Sequence, residues 1–83
     1  MTPPMPRARS LDELRRMVEA RKAEKTSATA NLLVTACLIV EYAQVGADVH
    51  PSMWRDYEQR MATYTAASDA LMAAYDAVEA VAG

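Results

Sequence analysis

"ANLLVTACLIVEYA" occupies residues 30–43, and the nine residues from Leu32 to Val40 hold one hydroxyl, Thr35, and one sulfur, Cys37. Wound at 3.6 residues per turn, Leu32, Leu33, Val34, Ala36, Cys37, Leu38, Ile39, Val40, Tyr42 and Ala43 leave almost no polar side. A helix of that kind is contacted from several directions. The run is too long for a typical strand, and Ala, Leu and Glu continue on its flanks without a turn signal. One partner helix cannot surround a cylinder, so the stretch predicts further helices from other copies of the chain.

Two rival readings of the run fail on context. Asn31 interrupts it on one side and Glu41 and Gln44 on the other, short of the about 20 apolar residues that a spanning helix needs, so no membrane is expected. "VTAC" at 34–37 and "VGA" at 45–47 have the residue types of cleavage boxes. The sequence ahead of Cys37 is charged, however, and the apolar residues continue past it, which a signal segment does not do. The expected location is the cytoplasm, with a virion as the alternative.

Eighty-three residues fit one small domain, and a chain of that size buries only roughly 60–65% of its unfolded surface. One Cys and one His, His50, exclude an internal disulfide and give no zinc spacing, so no cofactor or metal is expected. Oligomerisation is the remaining source of stability. Phe is absent and Gly rare, while alanine is abundant, as in closely packed helices. Charge is divided by position: residues 1–25 carry seven bases and four acids, and the remainder two bases and seven acids.

"MTPPMPRAR" at 1–9 reads as a Pro/Arg-rich extended arm, because its prolines remove amide donors and favour polyproline geometry. Residues 10–83 then form one helical-hairpin domain. "SLDE" at 10–13 is a capping box, which starts a first helix at about 11. That helix continues to about 45, with weak helix formers allowing a kink at 26–29, and Gly46 is placed to cap its end. "GADVHP" is the connection, and Pro51 opens a second helix over 51–82 with His50 or Ser52 as its cap. Trp54, Tyr57, Met61, Tyr64, Ser68, Leu71, Tyr75, Val78 and Ala82 alternate by three and four, a heptad seam. Beside it Ala67, Ala70, Ala74 and Ala77 form a ridge that permits close packing. The fold class is all-α: an antiparallel αα-hairpin assembling into a homo-oligomeric, coiled-coil-like bundle, with Leu32, Val34, Leu38 and Ile39 joining the seam.

No phosphate loop, metal-ligand spacing or nucleophile elbow occurs. Cys37 reads as a packed thiol, and the tyrosines as seam residues. An enzyme is therefore not expected. The functional lead is the basic end, Arg7, Arg9, Arg15 and Arg16, whose guanidinium forks suit carboxylates or phosphates. The expected role is a non-enzymatic interaction protein that binds itself and another protein with an acidic surface. The alternatives are a nucleic-acid or nucleotide binder and a structural component of a large particle.

Two resemblances accompany this reading. Tyr75-Asp-Ala-Val-Glu79, a tyrosine followed four residues later by an acid on an alanine-rich second helix, resembles small type VII-secreted helical hairpins. Their Trp-x-Gly turn has no counterpart, since Trp54 precedes Arg55 and Asp56, and the basic first helix also departs from that family. In size and composition the chain is similar to small helical proteins of phages and mobile elements, including inhibitors of host defence.

Overall fold

The computed structural model describes residues 10–82; the Pro/Arg-rich arm, with Arg7 and Arg9, lies outside the described residues. Two helices, α1 (Leu11–Gln44) and α2 (Pro51–Ala82), pack against each other along their length. The sequence signals explain where each begins and ends. Ser10 is extended, and its Oγ accepts from the Glu13 amide at 3.2 Å, while Asp12 and Glu13 sit at the positive end of the helix dipole. At the other end Gly46 adopts φ +71°. The Gly46 amide donates to the Ala43 carbonyl and the Ala47 amide to the Tyr42 carbonyl, so the last carbonyls of α1 are satisfied in a Schellman arrangement.

Residues 26–29 do not break α1, which runs unbroken for 34 residues, about 51 Å at 1.5 Å per residue. The threonines turn their hydroxyls back onto the helix: Thr26 donates to the Lys22 carbonyl at 2.9 Å and Thr29 to the Lys25 carbonyl at 2.7 Å. Thr35, buried in the apolar run, donates to the Asn31 carbonyl at 3.2 Å. Each hydroxyl is thereby satisfied without a partner from elsewhere. His50 opens α2. Its carbonyl accepts from the Met53 amide, and its Nδ1 accepts from the Ser52 amide at 3.1 Å. Pro51 follows at the first helical position, where no amide donor is needed.

The line of contact on α1 is Leu11, Leu14, Val18, Arg21, Lys25, Ala28, Leu32, Thr35 and Ile39, all buried or half-buried, with steps alternating between three and four. On α2 it is Met53, Tyr57, Arg60, Tyr64, Ala67, Leu71, Ala74 and Val78. Val18, Leu71 and Ala74 form the central cluster, with Val78 against it. This seam lies between the aromatic seam and the alanine ridge expected from the sequence. Consequently α1 straddles the two: the aromatics flank it on one side and the alanines on the other.

One seam makes a thin core. Among the described residues no large side chain is fully buried, and Leu33, Val34, Leu38, Val40, Trp54, Met72 and Tyr75 are among the exposed apolar residues. Leu71→Ala removes the largest side chain of the central cluster and should cost about 2 kcal/mol, the lower end for a buried leucine because the site is open at its edges. Leu33→Ala should cost under about 0.5 kcal/mol in a single hairpin. Urea unfolding of both variants checks the contrast; equal losses would show that the Val18–Leu71–Ala74 contact does not dominate the core.

Candidate interaction surface

Three surfaces of the hairpin carry side chains able to bind something. The first is the aromatic flank. Trp54 and Tyr57 meet edge to face, 6.2 Å between centroids at 87°. Farther along, Lys22 Nζ stands 5.9 Å over the Tyr75 ring and Lys25 Nζ 5.9 Å over the Tyr64 ring, so two cations from α1 already occupy two of the faces that a base could stack on. The lysine stems cover apolar surface on the way.

The second surface is the alanine flank, where α1 and α2 enclose an open groove. Leu14, Met17, Arg21, Glu24, Ala28 and Asn31 line one wall, and Thr63, Ala66, Ala67, Ala70, Ala74 and Ala77 belong to the other. Arg60 crosses from α2 to α1, where its guanidinium donates to the Asn31 carbonyl at 3.0 Å and pairs with Asp56 at 3.9 Å. Arg60 was not singled out from the sequence. Its signal was the heptad place between Tyr57 and Tyr64, masked because a charged residue does not read as a seam position.

The third surface is the outer edge of α1. Leu33, Val34, Cys37, Leu38 and Glu41 line a shallow depression there. Leu33 is 57% exposed, Val34 66% and Val40 53%. Arg15 and Arg16 precede Leu33 and Val34 by about five turns of 3.6 residues, which places them on the same edge. Both arginines are exposed. Arg16 Nε donates to the Asp12 carbonyl at 3.4 Å. Farther along α1, Arg21 pairs with Glu24 at 2.9 Å and Lys22 with Glu19 at 3.3 Å.

The residues singled out from the sequence are distributed over all three surfaces. Leu71, Ala74 and Ile39 are buried in the hairpin, and Leu32, Tyr57, Met61, Tyr64, Val78, Ala67, Ala70 and Ala77 are half-buried. Trp54 and Tyr75 are exposed on the aromatic flank, and Val34 and Leu38 on the edge of α1. Cys37 is exposed as well. Among the described residues no cluster of His, Cys, Asp or Glu could hold a metal ion. An 18-residue window of α1 has a mean hydropathy of 1.3 and is only 17% buried, so by length and composition this helix could cross a membrane. The chain matches no protein-family model, no curated protein and no solved structure.

The Lys22 ammonium is held above its ordinary range, first by its hydrogen bond to the Glu19 carboxylate, then by that carboxylate's charge and by Tyr75. A raised folded value means that this contribution to stability is complete below the ordinary lysine range and disappears as pH climbs through the folded value. The urea-midpoint gap between wild type and Lys22→Met should therefore narrow from about pH 9 to about pH 11. A gap that is unchanged over that interval would show that Lys22 does not couple protonation to folding.

Proposed function

We propose that this chain is a non-enzymatic, oligomeric helical interaction protein, which assembles with itself and uses the assembled surface to hold another macromolecule. The observation that carries the reading is the outer edge of α1, where Leu33, Val34 and Val40 are each more than half exposed in adjoining turns. A small soluble domain seldom leaves contiguous apolar surface of this kind without a partner for it. Five turns back along the same edge, about 27 Å away, stand the exposed Arg15 and Arg16, so the matching partner offers an apolar strip with carboxylates beyond one end, an acidic protein surface rather than a nucleic acid. In size and style such a protein suits an inhibitor of a host protein carried by a phage or mobile element.

Static light scattering at micromolar concentration should give a mass of at least two chains; a folded monomer would contradict the proposal. The apolar window of α1 makes a lipid bilayer the competing cover for the exposed edge. Flotation with neutral phospholipid vesicles should leave the protein in the aqueous fraction. Co-flotation would transfer the edge from protein partners to lipid.

A further inference from the structure

The groove on the alanine flank has a symmetry that the outer edge lacks. Its α1 wall, Leu14, Met17, Arg21, Glu24, Ala28 and Asn31, continues at the same alternating spacing into Thr35, Leu38 and Tyr42. Counted from Ala28, Leu14 and Tyr42 are equidistant, about 21 Å to either side at 1.5 Å per residue. Met17 and Leu38 stand at about 16 and about 15 Å. Large apolar side chains therefore sit at both ends of the wall, and Leu38 and Tyr42 are 42% and 40% exposed. The middle is lined by small residues of α2, Ala66, Ala67 and Ala70, which let another backbone come close.

The charges repeat the same relation. Glu24 lies about 6 Å from Ala28 on one side, and Arg60, bonded to the Asn31 carbonyl, about 4.5 Å on the other. Beyond them come Arg21, paired with Glu24, at about 10 Å from Ala28 along α1, and Asp56, paired with Arg60, at about 15 Å from Ala66 along α2. Turning the hairpin end for end about Ala28 thus places the Arg60 head, held at the Asn31 carbonyl of α1, against Glu24, while Leu38 meets Met17. A surface that matches itself under one half-turn is what a twofold interface requires.

We propose that the occupant of the groove is a second copy of this chain, docked groove to groove and antiparallel about a twofold axis at Ala28 and Ala66, so that two hairpins form a four-helix bundle. From Leu14 to Tyr42 the face is about 42 Å long, and two adjacent helices make it about 20 Å wide. The footprint of about 800 Å² per copy equals that of a stable standard-size interface. The polar centre sets the register, because sliding by one heptad would separate both charge pairs. The bundle leaves Leu33, Cys37 and Val40 on its outside, free to serve the binding role proposed above. This inference rests on that reading only in requiring self-assembly.

Thiol bridging tests it on the full chain. In a Cys37→Ser background, Ala66→Cys places its thiol beside its own symmetry mate and should be bridged to a covalent dimer by a short bis-maleimide; Met72→Cys, exposed on the opposite flank of α2, should not. Wild-type Cys37 should remain unbridged. A second measurement does not depend on new thiols: Glu24→Arg alone and Arg60→Glu alone should each weaken dimerisation by roughly tenfold, and an equimolar mixture of the two variants should recover it. An oligomer that is bridged through Cys37 and not through Ala66→Cys would overturn the groove arrangement and leave the oligomeric reading standing. A chain that is monomeric in light scattering would overturn both.

Discussion

The packing of Val18 against Leu71 and Ala74 is the contact on which the hairpin depends, and its limits shape the rest of the molecule. Two antiparallel helices share one line of contact, whatever their length. Along that line this chain places Leu14, Ala28 and Ile39 from α1 and small or aromatic residues from α2, with Arg21, Lys25 and Arg60 at intervening positions. Long cationic side chains there act through their stems and their heads together. The stems cover apolar surface, and the heads reach the Tyr64 ring, the Glu24 carboxylate and the Asn31 carbonyl. The outcome is a seam that fixes register well and buries little.

What the seam leaves uncovered is arranged rather than scattered. The apolar residues omitted from it fall on the outer edge of α1, at the ends of the groove and, as Trp54, Met72 and Tyr75, on α2, and the alanines fall in the groove's middle. Large residues at the ends of the wall, small ones in its middle, and the Arg60 head at the distance where Glu24 needs it are features of a surface with a complement. In the proposed dimer a second hairpin supplies that complement without any further sequence. Its outer edge then presents Arg15 and Arg16 in line with Leu33 and Val34, so the proposed assembly surface and the proposed recognition surface meet at Leu38, which borders both.

Most of the architecture was legible because it is written in local chemistry. Ser10 with Glu13, Gly46, and His50 with Pro51 mark helix ends through backbone hydrogen-bonding needs that do not depend on tertiary packing. Continuity through residues 26–29 was less legible, since Thr26 and Thr29 are weak helix formers until their hydroxyls find the Lys22 and Lys25 carbonyls. The azimuth of the seam was not legible. On α2 the tyrosine row and the alanine row are both heptad-spaced, and neither tells which way α1 leans. On α1 the seam passes through Arg21 and Lys25, whose charge conceals their periodicity. The choice between the rows is made by pairing, when Lys22 and Lys25 reach over Tyr75 and Tyr64 and hold α1 between them. The groove followed from that azimuth, which is why its symmetry about Ala28 became visible only in the folded chain.

If so much apolar surface waits for a second copy, folding and association must be linked, and stability must depend on protein concentration by mass action. The most direct measurement is the urea midpoint of the full chain, followed by helical circular dichroism from about 1 to about 100 μM. The account requires the midpoint to rise with concentration. A midpoint that stays constant over that range, with full helicity at its lower end, would mean that the single Val18–Leu71–Ala74 seam is sufficient and that the hairpin is complete by itself.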